Sequence, residues 1–170
     1  MSVPFPSATT PAGSRTEVFL RYLAYLRDGV DRRLAAMSEP EARTSRVPSG
    51  WTPLELVRHL TFMERRWLVW GFEGRAVPDP FGDEQDGRWS VPEDLGVAEV
   101  LGRFRAQAAE SDAVIGRHDL DEVGAPSPRW GDRAPATLER VLFHVLQEYA
   151  RHLGHLDVVA ELGGGVTGEV

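Results

Sequence analysis

The 170-residue sequence contains no cysteine. That excludes disulfides, thiolate catalysis and cysteine-type zinc sites, so a tight transition-metal site must be built from histidines and carboxylates. Lysine is missing too. All 19 basic residues are arginine, which beside plentiful Gly, Ala and Val reads as the codon bias of a GC-rich genome rather than as a mechanism. No apolar run approaches the roughly 18 residues of a membrane span. The N-terminus lacks the basic start and apolar middle of a secretory signal, so the expected location is the cytoplasm. A net charge of −7 offers no basic face, and neither nucleic acid nor an anionic membrane is expected as a partner. The remaining composition is that of an ordinary globule, long enough to bury the core of one domain.

Four amphipathic segments separated by turn-rich stretches fill the chain and predict an all-α four-helix bundle. In the first, from about Ser14 to Met37, Phe19, Tyr22, Leu23, Leu26, Val30 and Leu34 recur at spacings of three and four. Ser14 is its expected cap, with Glu17 as capping-box partner. Thr52-Pro53-Leu54-Glu55 opens the second with a Thr cap, a Pro at the first helical position and a Glu at the third. It should run through His59, Met63, Trp67 and Trp70 and stop near Gly71 or Gly74. The third is expected from Val97 to His118, and the fourth from a Thr137 cap to Gly163-Gly164-Gly165. No strand-like alternation of comparable length is present. Residues 1–13 read as a flexible lead-in, 14–165 as the bundle and 166–170 as a tail. Two long connections remain. The stretch 73–96 carries seven acids against two arginines, with Phe81 and Trp89, and 119–136 carries Pro126, Pro128 and Trp130. Loops of this length with such aromatics predict ordered segments packed on the bundle.

The fourth segment carries the chemistry. With His144 at zero and about 100° per residue, Glu148 falls at about 40°, His152 at about 80° and His155 at about 20°. Three imidazoles and a carboxylate thus share one narrow arc, while the rest of the circumference, with Gln147, Arg140 and Tyr149, makes no better core. A Glu and a His four apart lie one turn apart and reach a common ion. A third donor from a facing helix would complete a two-His, one-carboxylate set with open positions, the pattern of catalytic zinc and non-haem iron sites. His59 is the natural third donor, since Leu56, Met63 and Trp67 share its face and a buried imidazole among them needs a partner. The plainer alternative keeps Glu148, Arg151 and His152 as a solvated surface group and His59 as a hydrogen-bonded core residue. Trp51, Trp67, Trp70 and Trp89 give more aromatic surface than a small core covers, which points to a homodimer.

Two stretches resemble the DinB-like, or YfiT-like, metalloenzyme superfamily, and within it an actinobacterial branch related to mycothiol-dependent enzymes. These are Val47-Pro48-Ser49-Gly50-Trp51-Thr52-Pro53-Leu54-Glu55-Leu56-Val57-Arg58-His59-Leu60 and Glu148-Tyr149-Ala150-Arg151-His152-Leu153-Gly154-His155. The resemblance implies an up-down-down-up bundle holding one divalent metal through His59, Glu148 and His152, in the variant with Glu at the first position of the last helix's pair. Zinc is the expected metal, with nickel, iron and manganese left open. His155 and His144 would stand behind the donors or face substrate, and arginines near the mouth, Arg151 or Arg58 among them, would receive the cofactor's carboxylate. The activity implied is transfer of a low-molecular-weight thiol such as mycothiol onto an electrophilic substrate. Two alternatives use the same scaffold: a non-catalytic metal- or partner-binding bundle, and a hydrolase acting through bound water.

Overall fold

The Thr52 hydroxyl accepts from the Glu55 backbone N–H, and the Glu55 carboxylate accepts from the Thr52 N–H. With Pro53 at the first position, where no N–H is needed, this capping box starts the helix where its residue types require. A computed structural model describes residues 2–165. It contains α1 (Arg15–Ala35), a short α2 (Glu39–Ala42), α3 (Pro53–Glu64), α4 (Val97–Gly116) and α5 (Leu138–Leu162). Ser14 caps α1 through the Glu17 N–H, but the Glu17 carboxylate accepts from Gly13 rather than closing the expected box on Ser14. Thr137 caps α5 and Gly163 follows its last turn, as expected. The predicted tail, 166–170, lies outside the described residues.

Three features depart from the sequence reading. The α3 segment continues to Phe72, but residues Arg65–Phe72 form a π-helix, ending with the Glu73 N–H donating to Leu68 O. This wider turn changes which side chains align with His59 further up the helix. The strand-free expectation also needs correction: β1 (Glu84–Gln85) and β2 (Arg88–Trp89) pair antiparallel inside the acidic connection. Asp86 and Gly87 turn between them with φ of 53° and 74°, the conformation that makes Asp-Gly a hairpin signal. Third, the short α2 stands in a stretch to which the sequence reading assigns no helix, started by a Ser38–Glu41 capping box around Pro40.

α1 packs on α5 and α4, and α3 packs on α4 and α5, so the four long helices surround one core. Leu23, Leu34, Leu54, Leu60, Ile115 and Leu142 are fully buried in it. α1 and α5 pack tightly at Gly29, where a Cβ would lie 2.8 Å from a Leu153 methyl. A buried polar cluster ties the layers together below the ligand face. Arg27 of α1 donates to Glu64 of α3 (2.6 Å) and to Asp112 of α4 (2.7 Å), and its guanidinium lies 5.9 Å from the Tyr149 ring of α5. Tyr149, grouped above with poor core residues, is completely buried, and that burial holds its hydroxyl pKa well above the ordinary value.

Both long connections are ordered and gripped by arginines or backbone bonds. Arg66 donates to Pro80 O and to Asp83, and Arg58 donates to Ser90 O at 2.6 Å, which draws the acidic connection down over α3. The second connection is fixed by the Ser127 hydroxyl on Trp70 O, by the Trp130 indole on Ala125 O, and by backbone bonds from Leu138 and Glu139 to Glu122 and Leu120. In the N-terminal stretch the Val3 N–H donates to Asp28, and the Phe5 ring meets Tyr22 and Tyr25 edge-on. No helix among the described residues is long and apolar enough to cross a membrane.

Candidate metal centre

On α5 the buried stripe runs through Val141, Val145, Tyr149, His152, Leu156 and Val159. His152 lies within this stripe, while His144, Glu148 and His155 line its half-buried edge. The arc therefore faces α3 instead of solvent. It brings Glu148 and His152 to His59, and one donor atom from each of the three lies within 4.8 Å of the others. His152 Nε2 is 3.1 Å from Glu148 Oε2. An ion held about 2.0–2.2 Å from each nitrogen and oxygen needs donors roughly 3–4 Å apart, so modest side-chain rotations close the set.

The protonation states suit a cation. Burial, reinforced by the neighbouring His59, pushes the His152 pKa down to about 4, so its imidazole is neutral with a lone pair to offer at pH 7. His59 Nδ1 lies 3.0 Å from Asp83 Oδ2. With Nδ1–H donating to that carboxylate, Nε2 is the free donor, the carboxylate–histidine arrangement found behind metal ligands. Asp83 is fully buried and is itself clamped by both terminal nitrogens of Arg66. Burial alone would raise its pKa, but the bonds from His59 and Arg66 outweigh this and hold it below the usual aspartate value. Trp89 stacks on His59 at 4.3 Å with 21° between planes, and the donors are thereby covered from the hairpin side.

The remaining sequence-predicted residues fall around this set. His155 Nδ1 is 3.3 Å from His152 Nδ1, with Trp51 at 5.9 Å from its ring. His144 Nε2 is 3.7 Å from Glu148 Oε1, and its ring lies 4.2 Å from Trp67. Burial, with the Arg129 charge, holds the His144 pKa below the ordinary value against the pull of Glu148. Arg58 is spent on Ser90 O and the face of Phe62. Arg151 is exposed and makes no hydrogen bond among the described residues.

A family model described as mycothiol-S-transferase matches residues 18–165. The chain belongs to the mycothiol-S-transferase family. The matched span contains His59, Glu148 and His152, and it agrees with the DinB-like resemblance read from the sequence. This member of the mycothiol-S-transferase family is also similar to the crystal structure of a DinB-like protein from Bacillus cereus ATCC 10987. The two share 15% identity with a TM-score of 0.64, over 91% of this chain and 96% of the other. At that identity the likeness concerns the fold. No curated protein matches the chain.

Sequence reasoning missed Asp83 and Arg66. Asp83 is one of seven carboxylates in its connection, and no spacing singles it out. Its role is testable without reference to turnover. Asp83→Asn keeps the shape but removes the charge that orients His59, and zinc affinity is expected to fall about 10–100-fold. Competition with a chromogenic chelator measures this, and an unchanged affinity would mean that Asp83 serves only to anchor its loop.

Proposed function

We propose that His59, Glu148 and His152 hold one divalent ion, zinc foremost, and that the protein transfers a low-molecular-weight thiol, mycothiol, onto an electrophile. The reading includes the up-down-down-up order of the four long helices. Its main support is the convergence of three donors within 4.8 Å in a chain of the mycothiol-S-transferase family. Two imidazoles and one carboxylate suit borderline ions such as zinc and leave coordination positions open. An ion so held supplies Lewis acidity, lowering the pKa of a thiol so that thiolate persists at neutral pH.

The chain's own residues do the rest. Asp83 fixes the His59 ring and its tautomer, and Arg66 fixes Asp83. Glu148 contributes one negative charge, which tempers the ion's acidity relative to three imidazoles. His155 and His144 stand beside His152 and Glu148. Trp89 and Trp51 exclude water from one side. Two cavities lie near the site, about 700 Å³ beneath the hairpin, walled by Trp51 and Trp89, and about 510 Å³ beside His144, although no donor itself lines either.

Metal analysis of protein purified without an affinity tag, followed by a thiol-consumption assay, tests the proposal. One ion per chain is expected, with thiol loss abolished by chelation and restored by zinc. Electrophile hydrolysis with the thiol untouched would favour the bound-water alternative, and a metal-free, inert protein would favour the non-catalytic one. A homodimer belongs to the same proposal. Trp51, Trp67, Trp70 and Trp89 are half-buried, and the surface it would cover is instead the apolar groove bordered by Val18 and Phe143, two of the exposed apolar side chains. A monomer in sedimentation at high micromolar concentration would end that part.

A further inference from the structure

The cavity of about 510 Å³ beside His144 has a composition unlike the rest of the molecule. Its walls carry Arg129, Arg133 and Arg140 together with Trp67, Trp130 and His144, and no aspartate or glutamate lines it. In a chain of net charge −7, that is a local reversal of sign. Most other arginines sit on carboxylates, as Arg15, Arg27, Arg66, Arg105 and Arg117 do, while Arg58, Arg65 and Arg88 donate to backbone carbonyls. Arg129, Arg133 and Arg140 form no ion pair among the described residues. Asp132, next to Arg133, is exposed and does not line the cavity.

Arg129 is the most constrained of the three. Its guanidinium lies 4.0 Å over the Trp67 ring, and its Nε is buried without a hydrogen-bond partner among the described residues. Burial and the like charges of Arg66 and Arg133 together hold its pKa below the ordinary arginine value. A buried donor with no acceptor and crowded cations both cost free energy, and an oxyanion between the arginines relieves both at once. Arginine forks match planar carboxylates, and the indole faces of Trp67 and Trp130 offer an apolar surface beside them. His144, one of its lining residues, lies 3.7 Å from Glu148 Oε1. The cavity beneath the hairpin is the opposite in charge, with Glu55, Glu84 and Asp86 against Arg88 alone, and would repel an anion.

We propose that this cavity is a carboxylate subsite: Arg129, Arg133 and Arg140 bind the carboxylate of the electrophilic co-substrate, and Trp67 and Trp130 pack on its unsaturated or aromatic body. Assigning the ligand to the electrophile rests on the thiol-transfer reading above; the carboxylate site does not. Benzoate is the probe, with neutral benzamide as its isostere, and quenching of tryptophan fluorescence reports binding to the full chain, both chelator-treated and zinc-saturated. Benzoate is expected to bind both forms at least about tenfold more tightly than benzamide. Arg133→Gln/Arg140→Gln, at two exposed positions that leave the core intact, should weaken benzoate at least about tenfold. Arg32→Gln, at an exposed arginine of α1 outside the cavity, should not. Equal binding of benzoate and benzamide, or a double variant that binds like wild type, overturns the subsite. So does benzoate binding that needs zinc, because the carboxylate would then be on the metal. In turnover, benzoate should compete with the electrophile; competition with the thiol instead would overturn the assignment to the electrophile. Failure to find metal or turnover would count against the thiol-transfer proposal while leaving the binding result to stand by itself.

Discussion

His152→Ala, purified without an affinity tag, should retain less than about a tenth of the wild-type metal content, because two remaining side chains hold a divalent ion poorly. The effect should be as large in His59→Ala. The two residues lie on different helices, their rings 5.4 Å apart and roughly perpendicular, so in the proposed centre each would supply a donor that the other cannot replace. The substitutions differ in their effect on the fold. His152 is buried, and its loss leaves a cavity between α3 and α5, whereas His59→Ala removes one of Asp83's partners, leaving Arg66, and the ring on which Trp89 stacks. Circular dichroism should show helix retained in both. Elemental analysis that finds full occupancy in either variant would remove that residue from the donor set.

The second large effect concerns stability. Glu64→Ala is expected to destabilise the protein by about 3 kcal/mol, at the low end of the range for breaking a buried ion pair. Glu64 and Arg27 are 1% and 7% exposed at the side chain, so removing the carboxylate leaves a guanidinium in the core. Asp112 remains as a second partner at 2.7 Å, which limits the loss. Asp112 itself is half exposed, and Asp112→Ala should cost less than about 1 kcal/mol because water screens and replaces that contact. Replacing both buried partners by apolar residues of similar volume should recover most of the stability lost in the single variant. Urea midpoints of the three variants measure the contrast, and equal midpoints for Glu64→Ala and Asp112→Ala would mean that the buried pair contributes nothing beyond a surface one.

The parts of this molecule legible in the sequence are those fixed by neighbours in the chain. The Thr52 capping box, the Ser14 and Thr137 caps and the 100° spacing that puts Glu148 and His152 on one edge of α5 are all local geometry. Two further local signals went unread: Ser38-Glu39-Pro40-Glu41, which starts α2, and Asp86-Gly87, which turns the hairpin. Asp83, by contrast, meets His59 across 24 positions of sequence and owes its burial to Arg66, a long-range contact that no periodicity encodes. The π-helical turn at Arg65–Phe72 is equally silent, since its residues would serve an α-helix as well. Tyr149 misled for the same reason, because the polar cluster it packs against comes from α1 and α3.

Zinc titration into the apo forms of the wild type and of Glu148→Gln bears most directly on the three-donor centre. Glutamine keeps the size of glutamate but carries no charge, so it can replace the fold's contacts and not the anionic ligand. The expected result is one ion per wild-type chain and an affinity at least about tenfold weaker in the variant, with the helical spectrum unchanged. Glu148→His should bind zinc again, because it restores a third strong donor at the same position. Equal affinities for wild type and Glu148→Gln would contradict the account, since the carboxylate would then lie outside the donor set.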